Sequence, residues 1–151
     1  MPKRPIRADD LFRITFVGYA QFSPDGQRLR MLVRVPLVAL RDMTWPFKAP
    51  DILDLDRADS ELHDAATLWI GDEATLFEGD RALPTPELVA VRATLPTDRS
   101  FESYDQALAL LSGPRPADPD EISVKEGFLD IQFEYPLESA ASRISIQPRW
   151  G

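Results

Sequence analysis

The sequence predicts a mainly β protein of the α+β class, an antiparallel β-sandwich decorated by two short helices. Apolar and polar residues alternate along several segments of strand length, among them QRLRMLVRV, ELVAVRATL and FLDIQFEYPL, as expected for strands with one buried face. Only two segments, DSELHDAATLWIG and SYDQALALLSGP, combine helical spacing with start and stop signals. The connections between these segments suit antiparallel pairing better than crossover units.

Taken in order, residues 1–11 begin with basic residues and lack an apolar run; they read as a flexible N-terminal segment of one domain spanning 1–151. The alternation in FRITFVGYAQF predicts a strand from Phe12 to Phe22. Ser23-Pro24-Asp25-Gly26 follows, with Pro24 preset for the first central position of a type I turn and Gly26 suited to the left-handed position after it. In the next strand Leu29, Met31, Val33 and Val35 share a face, with Arg28, Arg30 and Arg34 opposite. The arginine row reads as an outward sheet face matched to acidic neighbours. Ser-Pro-Asp-Gly before a strand resembles blades of TolB-like and prolyl-oligopeptidase-type propellers. No repeat of about 40 residues accompanies it, so the hairpin reading prevails over a fragment of a propeller peptidase.

The stretch VPLVALRDMTWPFKAPDILDLDRADS is irregular and interrupted by proline. Trp45 within it is extended before Pro46 and reads as a lid over the core, with a ligand or partner contact as the sharper alternative. The first helix places Leu62, Ala65, Ala66 and Trp69 on one face, with Gly71 as its stop. EATLFEGDRALP is a small hairpin turning at Glu78-Gly79-Asp80. ELVAVRATL places Val89, Val91, Ala93 and Leu95 on one side. The second helix opens with Ser103 and Gln106 at capping-box spacing and ends at Gly113-Pro114. GFLDIQFEYPL directs Leu129, Ile131, Phe133 and Tyr135 to the core, and SRISIQPRW supplies a last short strand.

Composition narrows the function. The chain is 44% apolar and 28% charged, the profile of a folded globule. A net charge of −8 opposes a nucleic-acid partner, because phosphate recognition needs a positive surface. No apolar run approaches the roughly 18 residues of a membrane span. The start has no hydrophobic segment after its basic residues and so is not an intact signal peptide. With no cysteine and only His63, the chain has few ligands for zinc, copper or nickel, and no metal role is assigned. The acidic run Asp51, Asp54, Asp56, Asp59, Glu61 and Asp64 lacks the order of an EF-hand loop and reads as a solvated face. No nucleophile elbow, P-loop or dinucleotide fingerprint appears, so no cofactor or catalytic residue is assigned. At the corner TDRSFESY, Asp98 and Arg99 read as structural ties, and Arg99 with Tyr104 as the sharper candidate for a partner contact.

Several segments in combination carry a family resemblance. They are LVRVPLVALRDMTWP, DAATLWIGDEATLFEGDRAL, LPTPELVAVRATLPTDRSFESYDQALALLSGP, FLDIQFEYPL and RISIQPR, and the resemblance spans roughly residues 27–149. This resembles the N-terminal extracytoplasmic region of HupE/UreJ-type membrane proteins, in which a β-rich domain precedes a multi-helix portion related to nickel or cobalt permeases. IRADDLFRITFVGY departs from that pattern. The resemblance implies a non-enzymatic binding or interaction domain in the periplasm, with a membrane-protein portion or another protein as partner. A cytoplasmic location is the alternative where no signal is present. The alternative function is a small hydrolase using a pair of cleft carboxylates, whose pairing would be spatial.

Overall fold

The computed structural model describes residues 4–5, 17–40, 43–114, 121–138 and 144–148. The expected residues 6–11 of the flexible segment, and the stretch 12–16 of the first expected strand, lie outside them. The strands are β1 (Arg4–Pro5), β2 (Val17–Phe22), β3 (Arg28–Pro36), β4 (Phe47–Ala49), β5 (Ile52–Leu53), β6 (Ala74–Glu78), β7 (Arg81–Ala82), β8 (Glu87–Thr94), β9 (Phe128–Pro136) and β10 (Ile144–Pro148). Two α-helices, α1 (Asp59–Glu73) and α2 (Tyr104–Ser112), and 3-10 turns at Leu37–Ala39 and Ser100–Glu102 complete the described elements. The architecture is mainly β with antiparallel sheets and two helices, as the sequence predicts.

A central sheet runs β2-β3-β9-β8, a second runs β1-β10-β6-β7, and β4-β5 forms a small ribbon. The central hairpin closes as its turn residues dictate. The Gly26 amide donates to the Ser23 carbonyl at 2.8 Å, and Gly26 takes φ 71°, a region that residues with a Cβ enter at a steric penalty. Ser23 Oγ donates to the Asp25 carboxylate at 2.6 Å, and the Gln27 amide donates to that carboxylate at 3.0 Å. These hydrogen bonds hold the Asp25 carboxyl below the usual carboxylate range.

The main core lies on one face of the central sheet. Leu29, Met31, Val33 and Val35 of β3 meet Leu129, Ile131, Phe133 and Tyr135 of β9 there. Leu62, Ala65 and Ala66 of α1, Leu76 of β6 and Ile144 of β10 belong to the same apolar cluster, so both large sheets and α1 share it. Each fully buried aliphatic side chain contributes roughly 1.5–3 kcal/mol relative to its exposed state. Trp45 is buried in this cluster as well.

Three local expectations differ from the structure. First, α1 continues through Gly71 to Glu73 and leads directly into β6. A glycine inside a helix costs about 1 kcal/mol relative to alanine, but it stops a helix only where the chain also turns away. Second, Val89 does not share a face with Val91. The register shifts between Leu88 and Ala90, a β-bulge in which one strand has an extra residue. Leu88 therefore packs on the core, while Val89 is among the exposed large apolar side chains.

The third difference concerns the arginine row, which is not an outward face. The second face of the central sheet is covered by α2 and the Ser100–Glu102 turn. Phe101, Ala107 and Leu111 pack there on Leu32 of β3, with Tyr19, Ala90, Tyr104 and Leu108 at the margin. Ser103 caps α2 by accepting the Gln106 amide at 3.2 Å, the contact expected from the capping-box spacing. Seven consecutive residues of β9, Leu129–Tyr135, are buried, so the sheet is sandwiched on both faces at its centre.

Candidate functional site: an arginine clamp under a helical cap

The covered face gathers the strongest polar cluster among the described residues. The antiparallel register sets Arg34 of β3 opposite Asp130 of β9 and Asp130 opposite Arg92 of β8. One step away along the strands, Leu32 lies opposite Gln132, and Gln132 lies opposite Ala90. A further step brings Arg30 opposite Glu134. Side chains two residues apart on a strand share a face, so the face alternates charged and apolar rows.

Arg34 is the centre of this cluster. Its Nε donates to Asp130 Oδ1 at 2.7 Å and its Nη2 to Asp130 Oδ2 at 2.8 Å, the two-pronged geometry that a planar guanidinium offers a carboxylate. Nη2 also donates to Asp98 Oδ1 at 2.8 Å, and Nη1 donates to the Asp98 carbonyl at 2.9 Å. The Thr94 hydroxyl donates to Asp130 Oδ2 at 2.9 Å. Aromatic rings hold the guanidinium as well: its carbon lies 4.6 Å from the Phe101 ring centroid and 4.9 Å from that of Phe128, both within cation–π range.

Local chain geometry places the partners. A turn in which the Asp98 amide donates to the Leu95 carbonyl at 3.1 Å follows β8. The Asp98 carboxylate then accepts the Ser100 amide at 2.8 Å, starting the turn that lays Phe101 over Arg34. Burial of Arg34 opposes its charge, but the hydrogen bonds and charges of Asp130 and Asp98 more than offset this, so its ionisation is held above the ordinary range. Partial burial works to raise the Asp98 carboxyl; the hydrogen bonds from Arg34 and the Ser100 amide prevail and hold it below its ordinary value. Asp130 goes the other way: burial pushes its carboxyl up, with Arg34 and Thr94 pulling against the shift.

Two carboxyls displaced in opposite directions around one cation have the form of an acid–base pair. Here the form does not extend to chemistry. Asp130 is 0% exposed and both of its oxygens are engaged by Arg34, one of them also by Thr94. Beneath α2 and the Ser100–Glu102 turn Asp130 lies out of a substrate's reach, and in this arrangement the cluster acts as a clamp.

Besides Arg92, two further arginines share the face. Arg30 donates through Nε to Glu134 at 3.0 Å and through Nη1 to the Tyr104 hydroxyl at 3.2 Å. Arg28 pairs with Glu87 at 2.8 Å and lies 3.6 Å from Glu134. The acidic matching expected of the arginine row is therefore present, although α2 lies above it.

The structure does not gather Arg99, Tyr104 and Trp45 into one site. Trp45 lies in the main core, whereas Tyr104 packs on the opposite face of the sheet, edge-on to Tyr19 with centroids 6.3 Å apart. Arg99 has a side chain 83% exposed, facing Glu102 at 3.5 Å. Asp98, not Arg99, binds the corner to the sheet. His63 is exposed on α1, and among the described residues no group of three or more histidine, aspartate or glutamate side chains could hold a metal ion. Part of the acidic run is tied locally: Asp54 pairs with Arg57 at 2.7 Å and Asp51 with Lys125 at 3.3 Å.

No described helix is long and apolar enough to cross a membrane. Comparison with protein-family models, curated proteins and solved structures finds no match for this chain.

Proposed function

We propose that the chain is a non-enzymatic binding or interaction domain, of the extracytoplasmic kind that precedes the membrane portion in HupE/UreJ-type proteins. One observation carries the non-enzymatic part of this reading. Two carboxyls whose ionisation is displaced in opposite directions by their surroundings, Asp98 and Asp130, are both spent on holding Arg34. Displaced ionisation marks candidate reaction centres, but here it arises from a buried tie. The antiparallel, β-rich architecture with a helix on each face of its central sheet suits a rigid platform for partner contacts. The partner is a membrane-protein portion or another protein, and the location is the periplasm.

The coding sequence of the gene tests the proposal. Apolar segments of roughly 20 residues encoded in frame after this domain would support the ectodomain reading. A reading frame that closes at Gly151, together with turnover of ester or glycoside substrates by the purified chain, would replace it with the hydrolase reading.

A further inference from the structure

The two layers that cover the central sheet are held by different forces. On the main-core face, both sheets and α1 are joined through a continuous apolar cluster. On the other face, the segment from Pro96 to Gly113, which follows the core-packed Leu95, rests on a small apolar contact centred on Leu32, Phe101, Ala107 and Leu111. Sheet arginines hold this segment at its start, middle and end. Arg34 binds the side chain and carbonyl of Asp98, Arg30 binds the Tyr104 hydroxyl, and Arg92 binds the Gly113 carbonyl. Tyr19 of β2 adds a hydrogen bond from its hydroxyl to the Phe101 carbonyl at 2.8 Å.

From this arrangement we infer that Pro96–Gly113 is a cap that opens and closes as a unit on an otherwise intact sheet, with Arg34 as its latch. An apolar contact loses its full hydrophobic stabilisation on opening. Charged groups recover hydration when a buried ionic contact opens, which returns much of what their burial cost. Gln132 adds to this difference. Its side-chain oxygen is buried beneath the cap without a hydrogen-bond partner, and only its nitrogen is engaged, donating to Glu134 at 3.2 Å. Opening hydrates that oxygen and removes an unsatisfied acceptor. The cap also has suitable ends: a turn at Leu95–Asp98, and Gly113 in extended backbone before Pro114. Locally opening units of this kind exchange independently of the global core. The open state uncovers a face bearing Arg30, Arg34, Asp130 and Gln132.

Native-state amide hydrogen exchange tests the inference on the full chain. In the wild type, the α2 amides should exchange at least about tenfold faster than those of Leu129–Tyr135 in β9. In Asp98→Asn, the α2 amides should accelerate by about a further tenfold, whereas Ile131→Val, which weakens the main core in the closed and open states alike, should accelerate the β9 amides and leave those of α2 unchanged. Equal protection of α2 and β9 in the wild type would overturn the cap, as would parallel acceleration of both in Ile131→Val. An unchanged α2 in Asp98→Asn would overturn the latch. If Asp98→Asn does not fold, low denaturant applied to the wild type decides the question. A cap that releases alone exposes little surface, so α2 exchange should respond weakly to denaturant and β9 exchange steeply; one common slope would overturn the inference.

Discussion

The two faces of β9 differ in how a buried surface is made. Leu129, Ile131, Phe133 and Tyr135 enter an apolar core, whereas Asp130, Gln132 and Glu134 are buried with equal completeness on the other side. The first face tolerates imprecise packing, because burial there is favourable whichever apolar neighbour supplies it. The second face requires each polar atom to meet its partner, since a lone buried charge is far more costly than a lost methyl group. Burial alone therefore says little about what a residue contributes: Ile131 and Asp130 are both 0% exposed, yet they fail in different ways when altered.

The largest effect should follow removal of the cation. Arg34→Ala leaves Asp130 buried and unpaired, and should cost about 3–5 kcal/mol in chemical denaturation. The double replacement Arg34→Met with Asp130→Leu should recover most of that loss, because a well-packed apolar pair avoids the desolvation of two ions. A double variant as unstable as Arg34→Ala would show that packing and the Asp98 contact, not the orphaned charge, set the cost.

On the apolar face, Ile131→Val should cost about 0.5–1.5 kcal/mol, the usual range for deleting one buried methylene-sized group. A larger loss than that of Arg34→Ala would reverse the comparison.

The ionic face should also respond to acid through Asp98. Its folded carboxyl is held below the ordinary value, so its contribution is complete above about pH 4, the unfolded aspartate value, and is lost as pH falls through its lower folded value. Asp130 acts in the opposite sense: its folded carboxyl is raised, so its proton uptake favours the folded state as pH falls. The difference between wild type and Asp98→Asn isolates the first effect. The stability gap between them should narrow on acidification, and a gap constant from pH 7 to pH 2 would remove Asp98 from the account.

The smallest effect should be that of Arg99→Ala. With its side chain 83% exposed and a loose 3.5 Å contact to Glu102, Arg99 should contribute less than about 0.5 kcal/mol to thermal stability. A loss of several degrees in melting temperature would restore Arg99 to the structural role the sequence suggests.

The apolar half of this comparison was legible in the sequence because it rests on local regularities. Period-two alternation located β3 and β9 and their core residues, Ser23–Gly26 gave the hairpin, and Ser103 with Gln106 located the start of α2. The polar half was less legible, because it depends on which surface a helix covers, and that is a long-range fact. One signal was present. Leu32 interrupts the arginine row, and a large apolar residue between Arg30 and Arg34 fits a covering layer. Tyr104, Ala107, Leu108 and Leu111, spaced to share one face of α2, needed such a surface. Asp98 was readable as an acceptor of local amides, but its pairing with Arg34 spans 64 positions and follows from no spacing.

The bulge at Val89 has a consequence for self-association. Among the described strands β8 is an edge of the central sheet, and an edge strand offers amides and carbonyls to which another chain's strand can add. Through the extra residue between Leu88 and Ala90, the edge loses its regular hydrogen-bonding spacing part-way along. An incoming strand aligned with Val91–Thr94 falls out of register before Glu87, so growth by successive addition of identical edges stalls within a few residues. The irregularity that hid Val89 from a simple alternation thus favours molecules that remain separate at high concentration.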